Sequence, residues 1–262
     1  MPIMSPTGNI LRHPQDAIIN SYVASACGIN LAEPETVNRL APRHLALLLL
    51  LGLIACSGDN GDKGSITVPQ PVPLLIRESV PGAHNATTLV VGLPGAVAGA
   101  GTVTIRDRRS AAEATAGAAS AGSFSSVLTL AKDHELEIRF QNEDGASDWV
   151  AIPSASATDG VSLTVPNSDG PKPVSAPDAQ GQVTVTSDAG AGKPPLIEAT
   201  PEVDLIVANT DNGGVVASVT DQSGHFTVRL PGAVGDVIQI LLVDPEDTKQ
   251  TSDYLSYEVP AP

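Results

Sequence analysis

Apolar positions recur at every second residue along several short stretches of this chain. Val103, Ile105 and Asp107 alternate with Thr104 and Arg106, and the same period runs through Phe124, Ser126, Leu128 and Leu130, then through Leu136, Ile138 and Phe140. Further on, the matching sets are Leu205 and Val207, then Phe226, Val228 and Leu230, then Ile238, Ile240 and Leu242. A period of two sends alternate side chains to opposite faces, so each stretch predicts a strand with one face on a core and one in water. Turn residues separate the stretches: Gly99 to Gly101, Glu143-Asp144-Gly145, Asp159-Gly160, Asn209 to Gly214, Ser223-Gly224 and Gly235-Asp236. The 24 glycines and 22 prolines would also suit a disordered chain, but the periodic Val, Leu and Ile runs argue for packed strands outside the linkers. The predicted class is all-β, built from antiparallel Ig-like β-sandwiches.

The pattern occurs twice. At an offset of 102 residues, which lays 103 on 205, Val103-Thr104-Ile105-Arg106-Asp107 falls on Leu205-Ile206-Val207-Ala208-Asn209. Gly122-Ser123-Phe124-Ser125 falls on Gly224-His225-Phe226-Thr227, and Leu136 to Phe140 on Ile238 to Leu242. Pro71-Val72 lands on Pro173-Val174, and after a three-residue insertion Ser147-Asp148-Trp149 meets Ser252-Asp253-Tyr254. A shared register across so many segments predicts two tandem copies of one module. Residues 66–155 form the first and 182–262 the second. The segment 156–181, rich in Pro, Ser, Asp and Gly, is the expected linker, with Val161 to Val165 offering a first strand for the second module; its composition predicts loosely coupled modules. Phe124, Phe226, Trp149 and Tyr254 occupy equivalent positions in pairs and are expected in the cores.

Ahead of the modules stands a different pattern, the apolar run 45–55. It is about half the ~20 residues that cross a bilayer, but it suits the h-region of a signal peptide. Arg39, Arg43 and His44 precede it, and Leu53-Ile54-Ala55-Cys56 closes it. That ending resembles the lipobox of bacterial lipoproteins, in which a peptidase cuts before the cysteine and lipid is attached to it. The resemblance implies that residues 1–55 are removed as leader and signal peptide, that Cys56 is lipidated and becomes the first mature residue, and that 56–65 is a polar tether. Cys27, after Val23-Ala24-Ser25-Ala26, is a rival site behind a run broken by Asn20 and Ser21. The long polar stretch 1–36 is unusual for a signal peptide, and a start at Val37 would give one of ordinary length. Ser57, where an aspartate would favour retention at the inner membrane, implies the outer membrane as the address.

Charge sharpens the picture. Arg12, Arg39 and Arg43 balance Asp16, Glu33 and Glu35 in the leader, so the whole net charge of −15 belongs to residues 56–262. Such a chain repels phosphate backbones, and no basic, aromatic-interleaved patch opposes the repulsion, so no nucleic-acid partner is expected. Cys56 is the only cysteine after the leader, which leaves no intrachain disulfide.

In the second module, Ala208-Asn209 with the Gly213-Gly214 turn is followed by Thr220 to Val228 with its Asp221-Gln222-Ser223-Gly224 turn, and then by Gly235-Asp236 before an alternating strand. This order resembles the bacterial Ig-like and carboxypeptidase-regulatory-like modules of secreted proteins. The first copy departs from it: Lys132-Asp133-His134-Glu135 replaces the Gly-Asp, and Ala118-Ala119-Ser120-Ala121 the acidic turn. The resemblance implies a spacer or binding module and carries over no catalytic residue.

Candidate chemistry is sparse. No Gly-x-Ser-x-Gly elbow, phosphate-binding loop or His-Glu-x-x-His occurs. After Cys56 the histidines are His84, His134 and His225, each isolated; His225 should face water and His134 sits in a charged turn. Two acidic sets are candidates for calcium, Asp107 with Asp144 and Asp148, and Asp244 with Asp247 and Asp253. Neither has EF-hand spacing, and solvated acidic turns are the favoured reading. No cofactor is expected beyond the covalent lipid on Cys56. The expected function is therefore a membrane-anchored, non-enzymatic envelope lipoprotein whose modules bind or present protein, peptide or glycan. The alternative is an envelope-polymer hydrolase whose site the sequence conceals.

Overall fold

The computed structural model describes residues 67–80, 87–130, 133–157, 160–166 and 169–262, and shows strands joined by turns, a single 3₁₀ turn at Pro73–Leu75 and no α-helix among those residues. The all-β prediction holds. In the first module one sheet has the order β1 (Ile76–Glu78), β2 (Thr88–Gly92), β5 (Phe124–Leu128). The facing sheet runs β4 (Glu113–Ala118), β3 (Gly101–Asp107), β6 (Leu136–Asn142), β7 (Gly145–Ala146), with β8 (Val150–Ala151) also on β6. All pairings in both sheets are antiparallel. The predicted inward residues Val103, Ile105, Phe124, Leu128, Leu136, Ile138 and Phe140 meet Val90 and Ile76 in the first core.

The second module repeats this plan after β9 (Ser156–Ala157) and β10 (Leu163–Thr164). Its large sheet is β14 (Val215–Val219), β13 (Asp204–Asn209), β16 (Val237–Val243), β17 (Gln250–Thr251), with β18 (Leu255–Glu258) on β16. β11 (Gln182–Thr186) pairs β15 (Thr227–Pro231), and β12 (Glu198–Ala199) pairs β10. Leu205, Val207, Phe226, Val228, Leu230, Ile238, Ile240 and Leu242 fill the second core, together with Val161 and Leu163 from the segment 156–181.

The repeat is exact enough to preserve individual backbone devices. Gly122 and Gly224 hold φ of 76° and 77°, and a Cβ on either would run into the carbonyl oxygen of Val97 or Ala199 respectively, so only glycine suits the position. The turns that end in these glycines close alike, with Gly122 N donating to Ala119 O at 2.8 Å and Gly224 N to Asp221 O at 2.9 Å. The alanine-rich turn of the first copy thus departs from the acidic one in chemistry and keeps its geometry. Ser147 and Ser252 each accept a backbone N–H on Oγ, from Phe140 and Leu242, at 3.0 Å in both copies.

A third core joins the modules. Leu89 and Val91 on the outer face of β2 pack against Ile206, Ala208, Val215, Leu241, Val243 and Tyr254 on the outer face of the β14-β13-β16 sheet. β2, β13 and β16 are therefore buried on both faces. Among the described residues the result is four β-layers with three apolar seams. Each aliphatic side chain taken fully out of water contributes about 1.5–3 kcal/mol, so a seam of this size binds the modules firmly. Hydrogen bonds rim it: Ser123 Oγ donates to Gly213 O at 2.9 Å, and Thr251 Oγ1 to Glu78 O at 2.9 Å. Tyr254 Oη and Thr87 Oγ1 share a bond of 2.6 Å. The loose coupling expected from linker composition is corrected here, because contact between sheet faces, and not the linker, sets how the modules meet. β9 of that segment is itself zipped in parallel onto β17.

Candidate binding face

The two ends of the stack are the sheet faces that no other layer of the described residues covers. At the far end, Thr184, Thr186, Thr227 and Arg229 of β11 and β15 alternate outward. The threonines are small and polar, Thr186 Oγ1 meeting Thr227 Oγ1 at 3.0 Å, and Arg229 pairs with Asp178. The near end, on β4-β3-β6, is chemically richer. The β3–β6 register sets Arg106 opposite Glu137 and Thr104 opposite Arg139. Arg106 Nη2 lies 2.8 Å from Glu137 Oε2, and its guanidinium carbon sits 3.8 Å from the centroid of the Trp149 ring. Arg139 approaches the same ring at 4.8 Å, and its buried Nε makes no hydrogen bond among the described residues. Arg108 reaches Glu137 at 3.3 Å, and Arg109 pairs with Glu135. Trp149 is thus half-buried beneath two arginines, where core packing was expected, while its repeat mate Tyr254 is 2% exposed in the third core. A cation above an aromatic face contributes about 0.5–1 kcal/mol at an exposed site.

The acidic candidates do not converge. Asp107 lies at the Leu136 end of the β3–β6 ladder, whereas Asp144 follows Asn142 beyond its other end. Asp107 is 1% exposed and already saturated: its carboxylate takes the N–H of Arg109 at 3.0 Å, of Glu135 at 3.0 Å and of Ser110 at 3.2 Å, with the Ser110 hydroxyl as well. Burial pushes this carboxyl up, but the Ser110 hydroxyl and the three backbone N–H groups outweigh burial and hold it at about 2. Its repeat mate Asn209 closes the corresponding turn with a neutral amide, accepting Asp211 N at 3.0 Å. Asp107 is therefore a turn clamp. Asp144 and Asp148 sit at exposed positions, the latter 3.4 Å from Gln70 Nε2. Asp244 and Asp247 cap their own loop, Asp244 Oδ1 accepting Glu246 N at 2.7 Å and Asp247 Oδ1 accepting Lys249 N at 3.2 Å. Asp253 accepts Tyr254 N at 2.7 Å. No group of three or more His, Cys, Asp or Glu among the described residues is placed to hold a metal ion.

His225 is exposed. His134 is not the solvated turn residue that the sequence suggested: its Nε2 contacts Glu78 Oε1, and both side chains are largely buried beside the module junction. Glu78 also accepts Ala155 N at 3.0 Å. Burial raises the Glu78 carboxyl, opposed by the Ala155 N–H and His134. Nothing in local sequence links 78 to 134, so the pair was not legible. His84, Cys27 and the lipobox Leu53, Ile54, Ala55 and Cys56 lie outside the described residues.

No protein-family model matches the chain, and no curated protein does. Among solved structures, one of a 1.5-MDa bacterial ice-binding adhesin is similar at 20% identity and a TM-score of 0.26, over 67% of this chain and 57% of that one. The BSP domain of a biofilm-associated protein is similar at 15% identity and TM-score 0.23, over 66% and 27%. The Yersinia pseudotuberculosis adhesin InvE is similar at 17% identity and TM-score 0.20, over 76% and 61%. The chain spans less than two thirds of each of these, and superpositions this loose transfer neither fold nor function to it.

Proposed function

We propose that this chain is an envelope lipoprotein, cut before Cys56 and lipidated there, whose stacked modules form a non-catalytic unit that holds or presents a binding surface for protein, peptide or glycan. The observation that supports it is the third core, which turns two small sandwiches into one stiff body suited to displaying a surface at a fixed orientation. The end faces and the outer edges of β4 and β14, each paired on one side only among the described residues, are the surfaces on offer. Ser57 after the cysteine directs the protein to the outer membrane.

Intact mass and fractionation of the native protein, beside Cys56→Ser, test this reading. A lipid-modified species starting at Cys56, pelleting with membranes and released by the substitution, is the expected result. An unmodified soluble protein that keeps residues before Cys56 would overturn it.

A further inference from the structure

β4 and β14 hold the same place in the repeat, and their open edges differ. Asn209 N donates to Gly214 O at 2.8 Å and Thr220 N to Val203 O at 3.0 Å. Antiparallel alternation then turns the N–H and C=O groups of Val216 and Ser218 toward β13, and those of Val215, Ala217 and Val219 away from the sheet. In β4 the outward groups belong to Glu113, Thr115 and Gly117, because Asp107 N donates to Ala112 O at 2.8 Å. The plan therefore accepts a charge or a glycine where β14 has valines.

Proteins blunt their sheet edges with charges, prolines, short strands or covering segments, and the other edges among the described residues are blunted in these ways. β4 carries Glu113, and its Gly117 carbonyl is met by Gly213, on which a Cβ would lie 2.7 Å from that oxygen. On β15 the open-side backbone belongs to Thr227, Arg229 and Pro231, and β18 carries Glu258. β5 is covered at Ser125, which is 2% exposed, β1 is closed by Thr251 on Glu78 O, and β11 is bridged by Val174. The remaining edge strands span two residues. β14 is five residues long, with no charge and no proline. Its Val219 end is open: Ala217 is exposed, and Val219 is 55% exposed, one of three large apolar side chains in that state among the described residues.

A row of backbone donors and acceptors at the strand period is matched by another polypeptide strand, and by neither a sugar ring nor a metal ion. Charge narrows the choice. Glu202 and Asp221 flank the Val219 end of the edge and Asp211 the Val215 end, all three exposed, while Arg229 on β15 across the corner is held by Asp178. A second copy of a chain with net charge −15 would bring like charges together at this edge. We infer that β14 is a strand-addition site, to which a partner protein contributes an extended segment with apolar residues at alternate positions and lysine or arginine on its flanks. The inference rests on the reading of the chain as a binding unit and names its partner class; it does not depend on the lipid. Val215, Ala217 and Val219 each exchange backbone bonds with an opposing residue, whose side chain lies on the same face as Val219 and covers it. The bonds supply affinity, and the covered valine and the flanking carboxylates supply selectivity.

The native protein, in mild detergent, is titrated into fluorescein-labelled Lys-Lys-Val-Thr-Val-Thr-Val-Lys-Lys and followed by fluorescence anisotropy. Saturable binding that weakens as salt is raised is expected. The same peptide N-methylated at its valines keeps its charge and loses its edge donors, and should bind at least about tenfold more weakly. A version flanked by glutamate should weaken as much. Ala217→Pro removes an N–H that β13 does not use and should lower affinity about tenfold. Val219→Lys, at an exposed position, should do the same and keeps the test available if the proline variant fails to fold. Undiminished affinity in Val219→Lys, or for the N-methylated peptide, would overturn the inference. No binding by a chain that carries lipid on Cys56 would overturn it and leave the lipoprotein reading standing, whereas edge-dependent binding by a chain without lipid would uphold it while the anchor fails. Dimerisation lost in Ala217→Pro, in place of peptide binding, would assign the edge to a second copy and overturn the basic partner.

Discussion

The β4-β3-β6 sheet of the first module and the β14-β13-β16 sheet of the second hold the same place in the same plan, and their two faces behave differently. The inward faces agree: Val103 and Leu205, Ile105 and Val207, Ile138 and Ile240, Phe140 and Leu242 are all fully buried. The outward faces disagree, Thr104, Arg106, Arg139 and Gln141 standing where Ile206, Ala208, Leu241 and Val243 stand in the other copy. The fold dictates the inner face. What lies against the module dictates the outer one, another layer for the second copy and solvent or a partner for the first.

Exchanging residues between these faces should break the comparison most sharply. Leu241→Arg places the first copy's residue in the third core, where a guanidinium would be buried without a partner. Urea denaturation should show a loss above about 4 kcal/mol; a loss below about 1 kcal/mol would mean that the third seam is not a core. Gly122→Ala and Gly224→Ala probe what the copies share. Both should lose about 2 kcal/mol or more from left-handed strain and the clash with a carbonyl oxygen, and a large effect in only one would dissolve the structural repeat.

Asp107 and Asn209 separate the copies by pH. A carboxyl held at about 2 in the folded chain and near 4 unfolded stabilises fully above about pH 4, and that contribution vanishes as pH falls through about 2. Asp107→Asn should therefore cost about 1–3 kcal/mol at neutral pH, and the gap from wild type should close on acidification, read from melting temperatures across that range. A gap independent of pH would contradict the clamp. The smallest effect belongs to the reverse exchange, Arg139→Leu, which should move stability by less than about 1 kcal/mol, because the lost cation–π contact with Trp149 is offset by removing a half-buried guanidinium whose Nε has no hydrogen bond among the described residues.

Much of this architecture was legible from period two alone, which located β3, β5, β6, β13, β15 and β16 by their inward residues. β2 escaped because Thr88 to Gly92 are buried on both faces, so no alternation marks them. The docking of the modules does not follow from linker composition; its signal in the sequence is the second, outward-facing alternation of Ile206 and Ala208 and of Leu241 and Val243. Trp149 and Tyr254 show why equivalent positions need not share an environment: both sit on the outer side of their sheets, and only one of those sides is covered. The Glu78–His134 pair joins an edge strand to a distant turn, a contact that only the folded topology supplies.

The central claim is that the three seams make one cooperative body. Trp149 reports the first module alone, while far-UV circular dichroism reports strands of both, so urea unfolding followed by the two signals tests the claim directly. One transition with the same midpoint and the same slope by both probes is the predicted result. A fluorescence transition displaced from the dichroism transition would show that the modules unfold separately, and would contradict it.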